Sequence, residues 1–107
     1  MSVNKMLKLE TLHRDKYICQ YCGENLILEN IEDIHLDHFV SKINGGKNEI
    51  ENMKTSCKRC NCSKNYKDIE IWRSELIKKF NKNISYLNSY GFNFKIVKDY
   101  KFYFERK

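Results

Sequence analysis

Two cysteine pairs of identical spacing, Cys19-x2-Cys22 and Cys57-x2-Cys60, enclose residues 23–56 of a 107-residue chain. Zinc takes four ligands in a tetrahedron, and each C-x2-C turn presents two thiolates to it. Four thiolates close the coordination sphere, so Zn2+ bound by Cys19, Cys22, Cys57 and Cys60 is structural rather than catalytic. A chain this short buries only about 60–65% of the surface its unfolded form exposes. A structural zinc contributes on the order of 10 kcal/mol to folding, which offsets a small core. The total of five cysteines is odd, which argues against a pure disulfide framework. Cys62 falls outside the pairs and reads as a packing or surface thiol.

The opening residues MSVNKMLKLE lack the apolar centre of a signal peptide, and no run approaches the about 18 apolar residues of a membrane span. A reducing, cytoplasmic setting in a prokaryote or phage is therefore expected, with no membrane partner. The formal charge is +6, with basic residues at Lys54, Lys58, Arg59, Lys64 and Lys67 and again at Lys78, Lys79 and Lys82. Such a surface favours a polyanion, nucleic acid above all. A solvated lysine-rich surface explains the same composition, so charge alone decides nothing.

Residues 8–15 read as a short helix, and residues 17–28, with Gly23 behind Cys22, as a zinc-knuckle hairpin. Residues 34–40 form a short strand, 41–48 a turning loop with Gly45-Gly46, and 49–56 a second strand. A helix follows from Cys57 to about Tyr66, with Cys57, Asn61 and Lys64 along one side. Beyond a soft boundary, between 1–67 and 68–107, Ile69, Trp72, Leu76, Phe80, Ile84 and Leu87 recur at helical spacing until Gly91. The alternation Phe92, Phe94, Ile96 and then Tyr100, Phe102, Phe104 predicts a terminal hairpin or one bent strand. This tail is read mainly as packing or a dimer surface, with DNA contacts as the other use.

Between the cysteine pairs stands Asp37-His38, followed by Asn52 and, just past Cys60, Asn61 and Lys64. Phosphodiester hydrolysis needs a base to deprotonate water, a cation for the charge developing on phosphate, and help for the leaving oxygen. Neutral imidazole serves as the base near neutral pH, which suits His38. Asp37 and Asn61 offer hard oxygen donors, fitting Mg2+ or Mn2+. Taken singly, these residues mean little: an isolated Asp-His is usually a surface pair, and lone asparagines cap helices or form turns. His13 and His35 read as structural or surface groups, His35 being near enough to support the site from behind.

Together, RDKYICQYCG, DHFVSKINGGKNEIENM and CKRCNCSK, running from Arg14 to Lys67, resemble the HNH endonuclease family. The resemblance implies a ββα-metal fold in which His38 is the general base and Asn52 the central asparagine. Asn61 takes the third position, often His in the family, which makes this an H-N-N variant. It further implies that Asp37 and Asn61 ligate the catalytic ion and that Lys64 points at the DNA backbone or cleavage site. Asn52 is implied to tie the loop between the strands to the site, positioning His38. Many members carry a proline soon after Asp-His, whereas Phe39-Val40-Ser41 has none. An asparagine at the third position also binds metal more weakly than His would.

The expectation is an α+β protein: a small zinc-stapled ββα-metal core, a C-terminal amphipathic helix and a short β segment. Its function is then metal-dependent DNA cleavage, acting on double-stranded DNA as a nick or a double-strand cut. A rival is a non-catalytic zinc-ribbon module binding nucleic acid or protein. A nuclease working as a homodimer, or only within a phage packaging or restriction assembly, fits as well.

Overall fold

The computed structural model describes residues 5–106. The elements in chain order are α1 (Lys5–Arg14), β1 (His35–His38), β2 (Met53–Ser56), α2 (Lys58–Lys64) and α3 (Ile69–Asn88). β1 and β2 pair antiparallel, with His35 opposite Ser56 and His38 opposite Met53. α2 follows β2 after Cys57 alone and packs back against β1. This is the expected ββα arrangement, with four cysteines clustered beside it. Successive strand residues face opposite ways, so His35 and Asp37 meet α2 while His38 faces the loop between the strands.

The end of α1 clamps that loop. Arg14 donates to the carbonyls of Ile50 and Met53, and Asp15 accepts from the Thr55 amide at 2.9 Å. The loop itself makes two short 3₁₀ turns, Lys42–Asn44 and Ile50–Asn52. It is closed so tightly at Gly46 that a Cβ there would sit 1.6 Å from the Val40 carbonyl oxygen, so only glycine fits.

The core joins the cysteine cluster to the C-terminal elements. Leu12, Tyr21, Leu26, Ile34, Trp72 and Phe102 pack around Cys19, Cys57 and Cys60. Trp72 of α3 stacks on Phe102 at 4.8 Å, and Tyr21 meets both rings edge-on at 5.2 and 5.9 Å. Edge-to-face contacts of this kind are worth about 0.5–1.5 kcal/mol beyond area burial.

The tail departs from the expected hairpin or strand. Residues 92–102 form no helix or strand, and a 3₁₀ turn follows at Tyr103–Glu105. The tail runs back along α3, where helix side chains take the place of a neighbouring strand. Asn88 bonds both backbone groups of Phe94, and Asn81 both those of Val97. Arg73 then holds the Tyr100 carbonyl and both Glu105 oxygens. Alternation is a property of any extended chain with one covered side; a ladder needs a second backbone within reach.

Candidate active site

The Sγ atoms of Cys19, Cys22, Cys57 and Cys60 all lie within 4.8 Å of one another, with Cys22 to Cys57 at 3.8 Å. A tetrahedron with Zn–S bonds of about 2.3 Å has edges of about 3.8 Å, so the donor set fits that ion. The first pair turns at Gly23, whose φ of 85° is left-handed and whose amide donates to the Cys19 carbonyl at 2.9 Å. The second pair starts α2: Cys57 is its N-cap and accepts from the Cys60 amide. The thiols do not ionise together unaided. The Cys60 thiol holds Cys19 down at about 4, burial pushes Cys57 up to about 11, and the bond to Cys19 drives Cys60 upward. A divalent cation among them removes that conflict.

Beside the cysteines, two contacts between side chains join β1 to α2. Asp37 accepts at Oδ2 from Lys64 Nζ at 3.1 Å and from Tyr21 Oη at 2.5 Å. Burial raises the Asp37 carboxyl above its usual range, against the lowering effects of the Tyr21 bond and the Lys64 charge. Two residues earlier, the Nδ1 of His35 lies 3.2 Å from Asn61 Nδ2. Both Asp37 contacts use Oδ2, and the Asn61 contact uses nitrogen. Among the described residues no bond is made to Asp37 Oδ1 or Asn61 Oδ1. Two hard oxygen donors from facing elements suit an ion such as Mg2+ or Mn2+.

On the other side of β1, His38 Nε2 lies 2.6 Å from Asn48 Oδ1. An amide oxygen only accepts, so Nε2 is the donor, and in the neutral ring Nδ1 then holds the lone pair. Asn52 closes the loop above it: Oδ1 accepts from the Val40 amide at 2.8 Å, and Nδ2 donates to the Val40 and Lys47 carbonyls, each at 3.0 Å. An open groove of about 770 Å³ adjoins the loop, between residues 39–41 and 66–69.

The structure turns Lys64 inward. Its side chain is fully buried, and besides Asp37 it bonds, among the described residues, the His38 carbonyl at 3.2 Å. In this arrangement the ammonium faces the buried carboxylate rather than solvent. Asp37 and His38 do not touch through their side chains, because neighbouring strand residues diverge, although His38 is near enough to act on the Asp37 charge. Three partners escape sequence reasoning: Tyr21, Asn48 and the His35 link to Asn61. Tyr21 lies inside a C-x2-C turn and Asn48 in a turning loop, both places where such residues are ordinary.

The family model of the HNH endonucleases matches residues 19–67. The fold is similar to the crystal structure of the Type II-C Cas9 enzyme from Actinomyces naeslundii, with a TM-score of 0.56 and 28% identity. That similarity covers 66% of this chain and only 8% of the length of the other. No curated protein matches the chain. Residues 19–67, with their paired cysteines and ββα frame, are thus similar to the HNH endonucleases in both family model and fold.

Proposed function

We propose that this chain hydrolyses phosphodiester bonds of DNA, with His38 as general base and Asp37 and Asn61 as the ligands of a Mg2+ or Mn2+ ion. The observation that carries the reading is the His38–Asn48 contact of 2.6 Å, which in the neutral ring directs the proton to Nε2 and the lone pair to Nδ1. In the reaction, Nδ1 takes a proton from the attacking water as its oxygen bonds to phosphorus and the bond to the 3′-oxygen breaks. The departing 3′-oxygen takes a proton from solvent water, so the ends left are a 5′-phosphate and a 3′-hydroxyl. When bound, the divalent ion neutralises charge developing on the phosphate and on the departing oxygen. Lys64 keeps Asp37 in place and anchors the end of β1 through the His38 carbonyl. Asn52 keeps the loop closed, and with it the position of Asn48.

The cysteine cluster then holds Zn2+ as a staple and takes no part in the chemistry. Its role is to set α2 against β1, because Cys57 and Cys60 begin the helix that carries Asn61 and Lys64. The net charge of +6 supports a polyanionic substrate, and the open groove beside Phe39 and Tyr66 offers room for nucleotides flanking the cut. The small share of the Cas9 enzyme that this fold matches supports a second reading, a nuclease working within a larger assembly.

The test is nicking of supercoiled plasmid by wild type and His38→Ala with Mg2+, Mn2+ or EDTA. Metal-dependent cutting by wild type, abolished in His38→Ala with DNA binding retained, supports the proposal. Equal cutting by both proteins, or none by either with any metal, rejects it.

A further inference from the structure

His35 stands two residues before Asp37 on β1, on the face that meets α2. With an amide NH2 at 3.2 Å, which can only donate, its Nδ1 is the acceptor of this contact. An asparagine side chain ends in one acceptor and one NH2 of similar size, and its terminal torsion is soft and nearly two-fold. Unrestrained, Asn61 presents nitrogen as readily as oxygen. A bond from Nδ2 to His35 removes that freedom and turns Oδ1 away from the ring. Only Oδ1 can ligate a hard cation. The second contact between these elements, Lys64 with Asp37, likewise uses Oδ2 and spares Oδ1.

We infer that His35 is a positioning residue of the divalent-ion site: its Nδ1 holds Asn61 Nδ2 and thereby presents Asn61 Oδ1, beside Asp37, to the ion. The inference rests on the reading of Asp37 and Asn61 as ligands. His35 does not ligate through Nδ1, since that atom is occupied by the amide. Groups that orient metal ligands typically govern about 10–100-fold in metal affinity.

The experiment measures Mn2+ binding to the zinc-loaded full chain by electron paramagnetic resonance without DNA, and plasmid nicking over a Mn2+ titration. His35→Leu removes the acceptor, whereas His35→Gln supplies another in Oε1. His35→Leu is expected to weaken Mn2+ binding about tenfold and to shift the nicking titration equally, with His35→Gln close to wild type. Zinc content and Tm should stay unchanged in both. In an Asn61→Asp background both terminal atoms are oxygens and orientation no longer matters, so His35→Leu should then have no effect on Mn2+ affinity. A merely structural role would persist in that background and would lower Tm.

Mn2+ affinity unaltered in His35→Leu, or an equal loss in the Asn61→Asp background, overturns the positioning role. So does an imidazole-nitrogen coupling on bound Mn2+ that vanishes in His35→Gln, because His35 would then be a ligand. Asn61→Ala separates the two levels. If it leaves Mn2+ binding intact, the ligand assignment itself fails and the inference falls with it; if it weakens binding while His35→Leu does not, only the inference fails.

Discussion

Tyr21 donates its hydroxyl to Asp37 across 2.5 Å, linking a residue inside the first cysteine turn to the buried acid of β1. Tyr21 is fully buried, and its ring packs on Trp72 and Phe102. The metal-binding turn, the aromatic core and the candidate active site therefore meet at one side chain. Burial and the adjacent Asp37 charge push the Tyr21 hydroxyl far above its ordinary range, so it stays a donor at any working pH.

Tyr21→Phe keeps the ring and removes the donor. A hydrogen bond to a charged partner contributes about 1.5–3 kcal/mol, and a loss of that size is expected in urea unfolding. The Mg2+ concentration for half-maximal nicking should shift as well. An unchanged unfolding midpoint would show that the carboxylate does not depend on this bond.

Lys64→Met breaks an ion pair whose side chains are 0% and 7% exposed. Removing one member of such a pair typically costs about 3–5 kcal/mol, because the other charge stays buried and unmatched. Part of that loss should return in Lys64→Met/Asp37→Leu, where no charge is left. Thermal unfolding of the two variants distinguishes this from a cavity effect, which would leave the double variant no better.

Asn48→Ala frees the His38 ring without touching a metal donor. The expected outcome is a fall of about 10–100-fold in kcat with KM nearly unchanged, a fraction of what a positioned base contributes. A change confined to KM would instead assign Asn48 to substrate binding.

Removal of zinc should unfold the chain. Elemental analysis is expected to find one zinc per protein, and a strong chelator or Cys60→Ser should abolish the near-UV signal of Trp72 together with cleavage. Retention of native signal without metal would contradict the staple role.

The Arg73–Glu105 contact makes the tail sensitive to acid. The Arg73 guanidinium holds the Glu105 carboxyl below its usual range, so its stabilising effect is complete above the unfolded glutamate value. It is lost as pH falls through the folded one. The group is partly exposed, with 28% of its side chain accessible, so the effect is small. Wild type should exceed Glu105→Gln in Tm at neutral pH and converge with it on acidification; parallel pH curves would exclude the linkage.

Much of this was legible in the chain because it is local. A C-x2-C turn brings two thiols together by itself, a 3.6-residue period commits Ile69 to Leu87 to a helix, and short alternating runs beside glycines place strands within 34–40 and 49–56, although only His35–His38 and Met53–Ser56 pair and Ile50–Asn52 is a 3₁₀ turn. The tail misleads for the same reason: its alternation is local, while strand pairing depends on what lies beside it, here Asn81 and Asn88 of a helix.

The sequence by itself determined the metal chemistry of the cysteines, the order of the elements and the residue types available for catalysis. Tertiary structure alone decided which of those residues meet. Lys64 turns inward because a buried carboxylate needs a charge, Tyr21 reaches Asp37 because the knuckle folds under the sheet, and His35 rather than Asp37 touches Asn61. Each is a contact between segments distant in the chain, and those made by Lys64 and Asn61 depend on the angle of α2 against β1. That angle follows from packing around four thiols and three aromatic rings, which no single segment encodes.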